Sequence, residues 1–228
     1  MLQTVHCYYL NFITYIKQLD GIAPLLLRLI LAPVLIIAGY SKLGLSGDWQ
    51  SLSQALLADP NVVNWFGNAE WGLGLPFPDL LAFLAAWSEF LGGWFLLIGL
   101  LTRLVTIPLM ITMVVAATTV HWSHGWFAIT PLNPSTSAAK VYDWLAFPGA
   151  AQSLENSIEA QKRLSKIKEI NEEYGNTQYL YQTGQPVILN NGIEFAAMYF
   201  VMLLSLFFTG GGRWVSADYY IKRLLIKA

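Results

Sequence analysis

The chain is poor in cysteine and in charged residues. Cys7 is its only cysteine, which excludes an intramolecular disulfide and a zinc site built from several thiolates. Only 12% of its 228 residues are charged and 55% are hydrophobic, whereas soluble domains carry about 25% charged residues. The net charge of −1 and the lack of a basic cluster exclude a typical nucleic-acid-binding protein. This composition is typical of a membrane protein.

Four long apolar runs account for this composition. A bilayer core of about 30 Å is crossed by about 20 helical residues. The runs cover residues 22–41, 80–101, 104–120 and 193–209, and the last two are short enough to need flanking or tilted residues. Backbone groups in lipid have to be satisfied within their own segment, so each run predicts a helix. We therefore expect an all-α integral membrane four-helix bundle that forms a single domain over residues 1–228.

Two segments outside the spans also have helical patterns. Aromatic residues recur at helical spacing in residues 1–20, which is typical of a helix lying in the membrane interface. Residues 122–192 form a long external insertion between the third and fourth spans. Within it, residues 153–174 predict an amphipathic helix that Gly175 ends, with Leu154, Ile158, Leu164 and Ile167 on its apolar face.

The distribution of Lys and Arg predicts the orientation. One set of short connecting and terminal segments carries six Lys and Arg residues, and the opposite loop, 43–79, has none beside its four acidic residues. Cations concentrate on the cytoplasmic side of membrane proteins. We therefore expect a multi-pass protein of the bacterial inner membrane with both termini in the cytoplasm and lipid as its surroundings. The cations that decide this are Lys17, Arg103, Arg213, Lys222, Arg223 and Lys227.

Ionisable residues lie within the spans or at their ends, where charge is costly and a functional role is the first hypothesis. They are Arg28, Lys42, Glu89, His121 and Glu194. In three of the four spans, small residues share a helical face with the ionisable one, and small residues mark close helix packing in membranes. We therefore expect these five side chains to face the bundle interior and to line a ligand pocket.

Two more specific hypotheses concern this pocket. Helical rise places Arg28 and Glu89 close enough to pair, whereas the alternative for Arg28 is to extend to the headgroups. His121 and His124 have the spacing of two ligands on one helical face, and Glu194 could add a carboxylate for a divalent transition metal. The alternative is that both histidines are ordinary residues of the membrane interface.

Several motifs resemble the DoxX family of small four-helix membrane proteins. The first span carries Arg28 and then the residues GYSK at 39–42, and the second carries EFLGG at 89–93 before GLLTR at 99–103. The C-terminal GGGR at 210–213 also fits, with Ser216 and Asp218 after it. A branch of this family, the HvfX type, is similar in the loops as well. The resembling loop segments are WFGN at 65–68, WGLGLPFP at 71–78, VHW at 120–122 and ILNNGIEF at 188–195.

The resemblance implies a function without a catalytic residue. The HvfX-type branch is associated with copper-binding modified peptides, so it implies an inner-membrane accessory protein that works beside peptide-maturation enzymes in peptide maturation or export. More distant DoxX-like proteins include a subunit of a thiosulfate:quinone oxidoreductase, which implies electron transfer to quinone as an alternative. A structural scaffold is the third possibility. Quinone and copper are the cofactors that these alternatives imply.

Overall fold

The structure, a computed structural model, describes residues 2–46 and 56–227. About 70% of the protein is helical, and the described residues contain no β-strand, which confirms an all-α membrane protein. Two compact units are present: Met1–Val120 with Ala196–Ala228, and His121–Phe195. The second unit nearly coincides with the insertion predicted at 122–192. The assignment of the whole chain to one domain stays a prediction.

The described part of the chain consists mainly of helices. In chain order they are α1 (Leu2–Lys17), α2 (Ile22–Lys42), α3 (Pro60–Gly67), α4 (Pro78–Ile98), α5 (Thr102–Val115), α6 (Ala139–Trp144), α7 (Ala150–Tyr174), α8 (Thr177–Leu180), α9 (Glu194–Thr209) and α10 (Ala217–Lys227). A π-helical turn, Ala116–His121, and a 3-10 turn, Trp122–His124, continue α5. The predicted spans therefore correspond to α2, α4, α5 with its continuation, and α9.

Three helical stretches of the described chain are long and apolar enough to cross a membrane: Tyr8–Lys42, Pro78–Ile98 and Thr102–His124. The fourth, α9, is apolar but has only 16 residues. All four predicted spans contribute to one apolar core, which confirms that they pack as a bundle. The buried core residues are Leu31, Ala32, Leu35, Leu96, Val105, Leu109, Met113, Leu203 and Leu206.

A tight turn joins α4 to α5 and shapes one end of the bundle. Gly99 ends α4 in the left-handed conformation, with a φ of 67°, which glycine adopts without the steric cost of a Cβ. The N–H groups of Gly99 and Leu100 then donate to the carbonyls of Leu96 and Phe95, which closes the helix. Since α5 begins at Thr102, the two helices are held as antiparallel neighbours. We call this end of the first unit the Arg28 end, and the opposite end the Lys42 end.

The second unit is built around α7. This helix confirms the amphipathic helix predicted at 153–174, and Gly175 caps its C-terminus. The buried face differs from the expected one: Ser157, Ala160 and Leu164 are buried, whereas Ile158 and Ile167 are exposed. The buried face of α7 therefore carries two small residues beside Leu164, and the larger Ile side chains stay exposed. On the exposed face, the hydrogen bond from Lys162 holds the pKa of the Glu159 carboxyl below its usual value.

Candidate functional site

An ion pair joins α2 to α4 inside the bundle. Lys42 Nζ lies 2.5 Å from Glu89 Oε2. Glu89 is near the middle of a 21-residue helix, about 16 Å along it from Pro78. Its side chain is 7% exposed, and that of Lys42 is 26% exposed. Breaking a buried pair costs about 3–5 kcal/mol because it leaves one charge without compensation. The pair is therefore held firmly, and Lys42 is its more accessible member.

Lys42 turns into the bundle although it is the last residue of α2. Its Nζ donates to the carbonyl of Ala38, one turn back on its own helix, as well as to Glu89. The Cα–Cβ bonds of a helix point toward its N-terminus, so the stem of Lys42 starts in this direction. A terminal lysine ordinarily extends to the aqueous boundary. Here the carboxylate of Glu89 gives the ammonium a partner in the opposite direction.

Two glycines set the distance between α2 and α4 around this pair. A Cβ placed on Gly39 would lie 2.7 Å from the carbonyl oxygen of Ala86 and closer still to the nitrogen of Phe90. On the opposite helix, a Cβ on Gly93 would lie 2.9 Å from the nitrogen of Ile36. Backbone therefore meets backbone at both positions, as small residues permit between membrane helices. The expectation that small residues mark the close-packed face is confirmed.

Arg28 is fully buried at the other end of the bundle, and five backbone carbonyls surround it. A guanidinium has five N–H donors and no acceptor. Nε donates to one carbonyl, and each terminal nitrogen donates to two, which uses all five donors. The acceptors are the carbonyls of Leu96 at 2.7 Å, Gly211, Leu97 and Val215 at 2.8 Å each, and Trp214 at 3.4 Å. No donor of Arg28 is left for a ligand.

The carbonyls around Arg28 come from the end of α4 and from the connection between α9 and α10. A cation at a helix C-terminus interacts favourably with the helix dipole. Asp218 completes this end: its carboxylate accepts from the N–H groups of Leu101, the N-cap of α5, and Thr102, its first residue. Its own N–H and the hydroxyl of Ser216 both donate to the carbonyl of Gly99. Arg28 thus ties α2, α4 and the C-terminal connection together.

The expected pair between Arg28 and Glu89 does not form. Arg28 bonds the carbonyl of Leu96, which is seven residues, or about 10 Å, along α4 from Glu89. The direction of the Cα–Cβ bond explains the error, because it sends the Arg28 side chain toward the N-terminus of α2 and away from the middle of the bundle. The same rule directs Lys42 toward Glu89. Extension of Arg28 to the headgroups is also wrong, since its side chain is buried.

His121 and Glu194 belong to the second unit, and each has a contact within it. His121 Nδ1 lies 2.8 Å from the carbonyl oxygen of Asn191. Because that oxygen can only accept, Nδ1 carries the proton in this contact. Glu194 Oε2 accepts a hydrogen bond of 2.9 Å from the N–H of Ala128. Both side chains therefore hold the chain segment that follows α5 next to the one that precedes α9.

The metal site expected from His121, His124 and Glu194 is not formed. Among the described residues, no three His, Cys, Asp or Glu side chains are grouped closely enough to hold a metal ion. The chain between the histidines is a π-turn followed by a 3-10 turn and not the α-helix that was expected. His121 and Glu194 instead contact the backbone of Asn191 and Ala128.

The sequence reasoning missed the roles of residues at the Arg28 end. Asp218 lies in the first turn of α10, yet its carboxylate caps α5. The acceptors of Arg28 are backbone carbonyls, so no residue type in the sequence marks their positions. Three consecutive glycines at 210–212 were the available signal, since Gly210 and Gly212 have φ values of 74° and 75° and let the backbone approach Arg28.

The comparisons with known proteins support a membrane role and give no finer assignment. The DoxX family model matches residues 23–122, which contain α4, α5 and all of α2 except its first residue, and hence Arg28, Lys42 and Glu89. No curated protein matches the chain, and no solved structure does either. The matched part of this chain is therefore similar to DoxX proteins, and this suggests a membrane accessory or subunit role.

Proposed function

We propose that this protein is an accessory protein of the bacterial inner membrane, with both termini in the cytoplasm. It assists the maturation or export of a copper-binding modified peptide, beside the enzymes that modify that peptide. The loop motifs similar to the HvfX-type branch support the peptide assignment, and the distribution of Lys and Arg supports the orientation. The match to the DoxX family over residues 23–122 supports the accessory role.

The ion pair of Lys42 and Glu89 carries this proposal. A bundle that needed only stability would be served as well by well-packed apolar residues, which are often neutral or stabilising in place of a buried ion pair. The chain instead keeps both charges, and the Lys42 side chain is about a quarter exposed. A partner approaching from the Lys42 end meets an ammonium backed by a carboxylate. We assign this pair as the ligand-binding point of the bundle.

Arg28 takes no part in the proposed site, because its donors are used by carbonyls. This weakens the alternative of electron transfer to quinone, because Arg28 has no donor left to bind a quinone headgroup beside Glu89. Glu89 with Lys42 remains able to contact such a headgroup, so the quinone alternative becomes one outcome of the test. A scaffold role is the other outcome.

The test measures peptide maturation directly. The precursor peptide and its modifying enzymes are produced with the wild-type protein, with Glu89→Gln, with Lys42→Met, or with the control Glu155→Gln. Glu155 is an exposed acid of α7, so its substitution removes the same charge outside the proposed site. We expect the yield of copper-binding product, measured by mass spectrometry, to fall at least tenfold in both site variants and to stay unchanged in the control.

Two other results would contradict the proposal. If Glu89→Gln is inserted in the membrane and supports normal maturation, the ion pair has only a structural role. If quinone co-purifies with the wild-type protein, is lost in Glu89→Gln, and peptide yield does not depend on the protein, the protein is an oxidoreductase subunit. Membrane insertion is checked for every variant by its abundance in washed membranes.

A further inference from the structure

The Arg28 end of the first unit carries an exposed groove between the end of α1 and the beginning of α10. The groove has a volume of about 330 Å³. It is lined by Gln18, Arg213, Trp214, Val215 and Tyr220. An arginine, an amide, an indole and a phenol therefore surround one opening. This combination offers hydrogen-bond donors for an anion beside aromatic rings of the kind found at the headgroup level of membranes.

Arg213 can bind an anion in this groove, in contrast to Arg28. Its Nε donates to Asp20, and its Nη2 contacts Asp20 and the carbonyl of Lys17. Within the described part of the chain, Nη1 makes no hydrogen bond. The side chain is 42% exposed. Both N–H groups of Nη1 are therefore left without an acceptor among the described residues, on a side chain that lines the groove, and they can donate charge-assisted hydrogen bonds to phosphate oxygens.

The charge around the groove is positive. Lys222 and Arg223 of α10 are exposed, and Arg223 follows the groove residue Tyr220 by three positions, which places both on neighbouring parts of one helical face. Lys17 is exposed at the end of α1. With Arg213 these make four cations, whereas the nearby acids are Asp20, which pairs with Arg213, and Asp218, which caps α5. The groove is thus complementary to an anionic headgroup.

The two helices beside the groove present apolar faces that no described part of the protein covers. On α10 these exposed residues are Tyr220, Ile221, Leu224 and Leu225. On α1 they are Tyr8, Phe12 and Tyr15, and Leu19 follows just after the helix. The helix α2 has 21 residues, or about 32 Å, which is enough to cross a core of about 30 Å. Since α2 alone fills that core, α1 lies beyond it. Amphipathic helices with cations and aromatic residues bind in the membrane interface.

We propose that this groove binds the headgroup phosphate of an anionic phospholipid, held by Arg213 and Arg223, while α1 and α10 rest on the same leaflet. The aromatic and aliphatic faces of the two helices enter the interface, and the cations select the anionic lipid from neutral ones. This site is separate from the ion pair of Lys42 and Glu89, at the opposite end of the bundle, and does not depend on the peptide assignment.

The test uses the full chain in detergent with added phosphatidylglycerol or phosphatidylcholine of identical acyl chains, and native mass spectrometry counts the lipid bound. Substitution of Arg213 would also break its contacts with α1. The test variant is therefore Lys222→Gln with Arg223→Gln, and the control is Arg163→Gln with Lys168→Gln on α7, which removes the same charges from the second unit. Thermal unfolding in detergent confirms that both variants remain folded.

We expect wild-type protein to bind phosphatidylglycerol at least tenfold more tightly than phosphatidylcholine. The test variant should lose about 30-fold in phosphatidylglycerol affinity, since each cation near an anionic surface contributes about 1 kcal/mol. The control should match the wild type. Equal binding of the two lipids by the wild type overturns the proposal. So does a phosphatidylglycerol preference that survives in the test variant or is lost equally in the control.

Discussion

Replacement of Arg28 by methionine should destabilise the bundle strongly. Methionine keeps an unbranched apolar stem but removes all five donors, so the carbonyls of Leu97, Gly211 and Val215 lose their guanidinium partner. The carbonyl of Leu96 keeps the N–H of Gly99. A buried acceptor left unsatisfied costs about 1–3 kcal/mol. Three such acceptors, if the surrounding backbone shifts enough to satisfy them in part, lower the free energy of unfolding by about 3–5 kcal/mol.

The loss can be measured as a shift in melting temperature of the purified protein in detergent, followed by the fluorescence of its nine tryptophans. For a protein of this size about 1 kcal/mol corresponds to about 2–4 °C, so we expect Arg28→Met to melt about 10 °C lower than the wild type. Arg28→Lys should fall between them, because an ammonium has three donors and lacks the planar fork.

Arg103 provides the matched control for this prediction. It lies at the same end of the bundle, is exposed, and donates one hydrogen bond of 3.0 Å to the carbonyl of Phe208. Arg103→Met should therefore cost less than about 1 kcal/mol. If Arg28→Met melts within the error of the wild type, or if Arg103→Met falls as far, Arg28 is not the residue that holds this end together.

Three further predictions concern helix packing, capping and the ion pair. Gly39→Leu should destabilise the bundle by about 3 kcal/mol, since its Cβ would press on the carbonyl of Ala86; a melting temperature equal to the wild type would refute this packing. Asp218→Ala should cost about 1–2 kcal/mol and speed hydrogen exchange in the first turn of α5; unchanged exchange there would disprove the cap. Lys42→Met should melt lower than Lys42→Met combined with Glu89→Gln, because the double variant leaves no lone buried carboxylate; the reverse order would exclude an ionised pair.

The spans could be predicted from the sequence because one physical requirement determines them. A run of apolar residues in lipid has to satisfy its own backbone, and this fixes helix type and approximate length without any knowledge of packing. The run at 22–41 became Ile22–Lys42, and the run at 193–209 became Glu194–Thr209. The run at 80–101 begins and ends two to three residues after the helix itself, because Pro78 is the first residue of that helix and Gly99 caps its end.

The partners of the charged residues could not be obtained in the same way. Pairing depends on how far two helices are displaced along each other, and here that displacement follows from the contacts of Gly39 and Gly93 with the opposite backbone. Rise per residue alone placed Arg28 near Glu89. Side-chain direction was the neglected factor, since it moves the charged end of an arginine by several ångströms toward the helix N-terminus.

Arg28 and Lys42, two cations whose side chains have partners inside the bundle, differ in a way that separates structure from function. Arg28 has every donor bonded to backbone and is fully buried, so any change there acts through the fold. Lys42 is part of an ion pair with a partly exposed side chain, so a change there alters what a partner meets. Loss of activity in an Arg28 variant should therefore follow its loss of folded protein. In a Lys42 variant, the loss of activity should exceed the loss of folded protein. This difference between the two variants identifies the ligand-binding charge.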